Sequence, residues 1–278
     1  MLAAALARAG HEVVAVHAVS EVSRLRADAL LPGVPIVTVP EVMAAAELVL
    51  LTVPDDVLPG LVTGLVAAGA VQPGQFLVHA SGRYGTEVLA PATGLGALPL
   101  ALHPVMTFTG TSLDLERLSG SPFGVTAPDV LRPVAEALAV EMGGEPVWVE
   151  EKDRALYHAA LANASNHLVT LVAQSMDLLD RAGVSEPARM LGPLMSASLD
   201  NALRYGDPAL TGPVVRGDAG TVREHLRALS NASPESRAAY IAMARLTADR
   251  AMSAGTLSAD RAAALLEVLA EPPQGGAR

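Results

Sequence analysis

Up to residue 149 the chain alternates short apolar runs with helix-length segments, and after that point the short runs stop. This change of rhythm constrains the fold more than any other feature. Strand-length runs fall at 12–18, 34–39, 48–53, 76–79, 97–102, 123–126 and 146–149. The run at 48–53, LVLLTV, reads as a strand buried on both faces. Helical segments lie between the runs: 1–9 stopped by Gly10, 20–31 closed by Pro32-Gly33, and 40–46 with Pro40 at its first position. Two more run to Ala68 from a cap at Asp55 or Asp56, and over 130–142 to Gly143-Gly144. Such alternation predicts right-handed βαβ units and a mainly parallel, doubly wound sheet. Beyond 149, helical periodicity continues over 152–182, 186–205, 219–229, 234–254 and 258–270. The expected organisation is an α/β domain over 1–149, an all-helical domain over 150–270 and a flexible tail over 271–278.

Composition narrows the function. Hydrophobic residues are 51% of the chain and aromatics only 3%, so the core is built from Ala, Val and Leu, unlike a β-sandwich. A net charge of −10 disfavours nucleic acid and anionic membrane surfaces as partners. The charge-free stretches 57–82 and 88–113 are broken by Pro59, Pro73, Pro91, Pro99 and Pro104, and read as buried helices, turns and strands. The opening residues lack the pattern of a secretory signal, so a cytoplasmic protein without a membrane segment is expected, acting on a small molecule. There is no cysteine, and Lys152 is the one lysine.

A helix tail, Gly10-His11-Glu12, then a hydrophobic strand is how the first helix of a dinucleotide-binding unit runs into its second strand. The first strand and the G-x-G-x-x-G turn that precede that helix are not in the sequence. The reading favoured is a start codon assigned about 15–25 residues too far downstream, enough for a strand and a loop. The alternative is a chain that has lost cofactor binding.

In open parallel sheets ligands bind beyond the carboxyl ends of the strands. His79, Ser81 and Gly82 follow one strand end there, and His103 with Thr107 follows another. A histidine titrates near neutrality and can donate to a developing alkoxide. Each histidine reads equally well as a strand-end residue satisfied by backbone. Two histidines also raise a metal site, but no third ligand has telling spacing, and none is expected. At the second strand end no acid stands before Glu21, while Ser20 and Arg24 follow; this favours a 2′-phosphate, hence NADP(H), unless Arg24 is merely a solvated helix position. The segment 152–182 carries Tyr157, His158, Asn163, Asn166 and His167, with His158 and Asn166 near one helix face. In the loop DPALTGPVVRGD, Arg216 could grip a carboxylate or phosphate beside Thr211, Gly212 and Asp218. It could equally be a structural loop in which Arg216 pairs with Asp218 and Thr211 caps.

The motifs LLTVPDD, HASG, ALHPVMTF and DPALTGPVVRGD, with the helix-to-strand opening, resemble the bacterial family described as a Rossmann-like domain followed by a DUF2520 domain. Its wider superfamily includes ketopantoate reductase, pyrroline-5-carboxylate reductase and the 3-hydroxyisobutyrate and 6-phosphogluconate dehydrogenases. The resemblance implies NADP(H) or NAD(H) on the first domain, with Thr52, Val53, Pro54 and Asp55 under the cofactor and His79, Ser81 and Gly82 beside it. It also implies a helical domain that closes the site and a homodimer through that domain. Several of those dehydrogenases carry Lys-x-x-x-Asn on the long helix; Asn166 matches the asparagine, but Ala162 stands at the lysine. The proton role then falls to His103 or His158. The function expected is NADP(H)-dependent reduction of a small, anionic oxo or imino acid in the inter-domain cleft, oriented by Asn166 and Arg216. The alternative is a non-catalytic nucleotide- or metabolite-binding protein that retains the dehydrogenase fold.

Overall fold

The structure, a computed structural model, describes residues 1–271, so the expected tail lies outside the described residues apart from Glu271. Two compact units divide at Ser165 and Asn166.

In the first unit α1 (Leu2–Arg8), α2 (Glu21–Leu30) and α3 (Val39–Ala45) precede β1 (Leu48–Leu51). Then follow α4 (Leu58–Ala67), β2 (Phe76–His79), α5 (Ala90–Thr93), β3 (Leu98–Pro104), α6 (Leu113–Leu118), β4 (Pro122–Thr126), α7 (Arg132–Glu141) and β5 (Glu145–Trp148). The five strands pair in chain order, β1-β2-β3-β4-β5. Every pair is parallel except β3 with β4, where Ala101 faces Thr126 and His103 faces Gly124. The fold is thus a Rossmann-like, mostly parallel sheet flanked by helices.

The runs at 12–18 and 34–39 do not become named strands: they meet in one parallel bridge, Val16 to Ile36. They pair only with each other, and a two-stranded contact outside a larger sheet is marginal. The expected carboxylate cap of α4 is also not made. Val57 is the capping residue, without a side-chain bond, and Pro54 O accepts from Val57 and Leu58 N–H instead. At α3, Thr38 and Glu41 do form a capping box, with Thr38 N–H donating to the Glu41 carboxylate at 2.8 Å.

Period-two alternation sorts the strands between two cores. Val78, Leu100, Leu102, Phe123 and Val125 point to one face, where α1 and α7 supply Leu6, Leu138 and Ala139. Val49, Leu51 and Leu77 point to the other, against Leu58, Val62, Leu65 and Leu89. On that second face β3 and β4 offer Ala101, His103, Gly124 and Thr126, two of them nearly without side chains. The long helix α8 (Arg154–Arg181) begins over this gap, which is why the first unit extends past the last strand to Ser165.

The second unit holds the rest of α8, then α9 (Pro187–Tyr205), α10 (Ala219–Ala232), α11 (Pro234–Ser253) and α12 (Ala259–Ala270). Its core is made by the last three helices, with Val222, Leu226, Leu265 and Leu269 against Ala244, Ala248 and Ala251. The three alanines recur at helical spacing on α11, and their small size lets the helices approach closely. By contrast α9 buries none of its 19 residues, and α8 buries only Arg154 of its 28. Among the described residues no helix is long and apolar enough to cross a membrane.

Candidate active site

At the carboxyl end of β2 the turn HASG folds around its own histidine. His79 is 1% exposed; its Nε2–H donates to Gly85 O at 2.8 Å, and its Nδ1 accepts from Ser81 N–H at 3.2 Å. The Ser81 hydroxyl accepts from Arg83 and Tyr84 N–H at 3.2 and 3.3 Å. His79 and Ser81 therefore shape the turn, and both His79 ring nitrogens are engaged with backbone. Burial, reinforced by the charge of Arg154, pushes the His79 pKa down to about 4.

The turn delivers Gly82 to the place where two other histidines meet. A Cβ on Gly82 would stand 2.7 Å from His158 Cδ2 and 2.9 Å from His103 Nε2, so only bare backbone fits. The His103 and His158 rings lie edge to face, with centroids 6.1 Å apart. Behind them the Tyr157 hydroxyl is 2.8 Å from His103 Nδ1. Gly124, opposite His103 in the register, leaves room for that hydroxyl, since a Cβ there would overlap the phenol.

Arg154 lies beneath this group, 1% exposed. Its Nε donates to the Thr126 hydroxyl at 2.7 Å, and one terminal nitrogen donates to Ala101 O and Gly124 O at 3.2 and 3.1 Å. The other terminal nitrogen is buried without a hydrogen-bond partner among the described residues. No carboxylate pairs with this guanidinium among the described ion pairs. The Glu151 carboxylate is occupied with Thr86 and Glu87 N–H at 2.7 and 3.4 Å. Burial first, then the charges of Arg154 and of His158, hold the His103 pKa down at about 4 against the opposing pull of Asp55. Burial raises Tyr157 above the usual phenol value, with Arg154 pulling the other way.

The structure thus brings together His103, His158 and Gly82 of the expected site residues, and adds Tyr157 and Arg154. Thr52 is exposed and Val53 and Asp55 half-buried in the Pro54 loop after β1, while Thr107 is exposed after β3. Ser20 caps α2 by accepting from Ser23 N–H at 3.2 Å, and the exposed Arg24 donates to Ala18 O at 3.3 Å. Asn166 belongs to the second unit with Thr211, Gly212, Arg216 and Asp218. There Asp218, not Thr211, caps α10 through Thr221 N–H at 3.0 Å, and exposed Arg216 forms no ion pair with it among the described residues.

Residues 1–104 match the family model of a Rossmann-like domain, and residues 121–247 match DUF2520, a domain of unknown function. The chain belongs to the family that joins these two domains. A Bacteroides fragilis protein, BF3122, described as a candidate NADP oxidoreductase, is similar in fold: TM-score 0.72, 22% identity, 89% of this chain and 93% of that one covered. Protein TM1727 from Thermotoga maritima aligns at TM-score 0.62 and 25% identity, over 83% and 87% of the two chains. A reductive aminase from Aspergillus terreus, solved with NADPH and ethyl levulinate, aligns at TM-score 0.65 and 16% identity, over 96% and 94%. None of the curated proteins compared matches the chain.

Proposed function

We propose that this protein is a NADP(H)-dependent oxidoreductase that reduces a small, anionic oxo or imino acid, with His103 placing a proton on the reacting oxygen or nitrogen. The observation that carries this reading is the meeting of His103, His158 and bare Gly82 at the carboxyl ends of parallel strands, where a doubly wound sheet binds its ligand. The donor set fits a nicotinamide. The His103 imidazole, held neutral by a pKa down at about 4, does not repel a ring that is positively charged when oxidised. Gly82 backbone offers a flat approach. When bound, the reduced nicotinamide supplies hydride. The residues of the chain do the rest: the Pro54 loop with Thr52, Val53 and Asp55 borders the cofactor, and His103 Nε2, which makes no hydrogen bond among the described residues, faces the reacting atom. Arg24, in this reading, meets the 2′-phosphate from its exposed position. Fold similarity to the NADPH-bound reductive aminase supports the choice of cofactor. The test is NADPH consumption against a panel of 2-oxo acids, with and without amines. Turnover with at least one member is expected; no consumption by protein that binds NADPH would reject the reading.

We infer also that the protein works as a homodimer in which a second copy covers α9. Exposed apolar residues lie on opposite sides of this helix, Met190 and Leu194 on one and Leu199 and Leu203 on the other, Leu203 at 79% exposure. A helix apolar on two sides is built to be surrounded, so an interlocked copy accounts for it better than one flat contact. Sedimentation equilibrium at micromolar protein is expected to give twice the chain mass, and Leu194→Arg with Leu203→Arg to give the monomer. A monomeric wild type would overturn the inference.

A further inference from the structure

We propose that the proton delivered by His103 is replaced from Tyr157 through the imidazole, and that Arg154 is the fixed buried charge that stabilises the phenolate left behind. This rests on the oxidoreductase reading and deepens it. A neutral histidine that gave up its Nε2 proton alone would be left as an imidazolate, which is costly. Here the Tyr157 hydroxyl stands 2.8 Å from Nδ1, and a phenol, the stronger acid, donates in that bond. As hydride reaches carbon, its oxygen or nitrogen becomes negative. The Nε2–H bond of His103 breaks as the new bond to hydrogen forms, and the Tyr157 O–H bond breaks as Nδ1–H forms. His103 ends neutral with its tautomer exchanged, Tyr157 ends as phenolate, and water reprotonates the half-buried phenol afterwards.

Arg154 is placed for this task. Its guanidinium carbon is 5.7 Å from the centre of the Tyr157 ring, it is held by three oxygens of β3 and β4, and one nitrogen has no partner among the described residues. A buried cation with no paired carboxylate is a poor stabiliser of the fold by itself, yet it suits a negative charge that arises only during reaction. The other groups near His103 are His158 from α8, His79, which is tied to backbone on β2, and Asp55 in the loop after β1, while β4 places Gly124 opposite it.

Three measurements test the relay. The ¹⁵N shifts of His103 in the resting protein are expected to show Nε2 protonated and Nδ1 as acceptor. The ultraviolet phenolate titration of Tyr157, isolated as wild type minus Tyr157→Phe, is expected to move to higher pH in Arg154→Met and to return in Arg154→Lys. Tyr157→Phe, which removes only a hydroxyl, is expected to lower kcat about 10²-fold and leave the KM for NADPH unchanged. An unshifted phenolate in Arg154→Met, a protonated Nδ1 in the wild type, or wild-type turnover by Tyr157→Phe would overturn the relay. If the wild type shows no NADPH-dependent turnover, it is the oxidoreductase reading that fails. The nitrogen shifts and the phenolate titration still decide whether Arg154, Tyr157 and His103 form the proposed unit.

Discussion

Replacing His103 by alanine is expected to lower kcat of the NADPH-dependent reduction by about 10²–10⁴-fold, the usual contribution of a positioned acid. The change empties a half-buried position at the end of β3 and touches neither hydrophobic core, so the urea midpoint is expected to stay near that of the wild type. Because burial and Arg154 hold His103 at about 4, the ring is neutral throughout the working range. The sign follows: a histidine with a lowered pKa gains its proton only as pH falls toward that value. The wild-type rate is therefore expected to show no acid limb with a midpoint near the ordinary histidine value of about 6.5. An acid limb there, lost in His103→Ala, would mean that the imidazolium is the active form. That result would contradict the neutral-donor role.

The second large effect comes from a residue with no functional group. Gly82→Ala places a methyl 2.7 Å from the His158 ring and 2.9 Å from His103 Nε2, inside contact distance of both. One or both rings must move, and a displacement of about 1 Å at a reacting centre costs about 10²-fold in rate. Coupling separates this from general damage. In a His103→Ala background the ring whose displacement matters for proton transfer is already gone, so adding Gly82→Ala there is expected to cost less than fivefold. An equal loss in both backgrounds would show that Gly82 acts by some other route than the position of the His103 ring.

Strand and helix periods carried most of the fold because burial writes itself into them. The run LVLLTV became β1, and the segments 186–205 and 234–254 became α9 and α11 within a residue or two. The runs at 12–18 and 34–39 have the same apolar character yet form one bridge, since a strand is completed by its neighbours rather than by its own composition. The strand-end histidines were visible as such, but their roles were not separable by type. His79 is consumed by its own turn, while His103 keeps Nε2 unbonded, and only the turn geometry tells them apart. Tyr157 stood beside His158 in the sequence without a role. Its position depends on Gly124 lying opposite His103, which is a matter of antiparallel register. Arg154 could not be read as buried, because an arginine opening a long helix after an acidic run looks like any solvated charge. The gap left by Ala101 and Gly124 on one sheet face is the signal that would have found it.

The most direct measurement is a titration of the ¹⁵N-histidine-labelled protein with NADPH, followed through the side-chain resonances of all the histidines. Saturable shifts at His103 and His158 are expected, with His11, held against Glu141 of α7 at 2.7 Å, unmoved. NADPH that binds without shifting His103 and His158, or that does not bind, would contradict the assignment of this cluster as the place where hydride and proton meet.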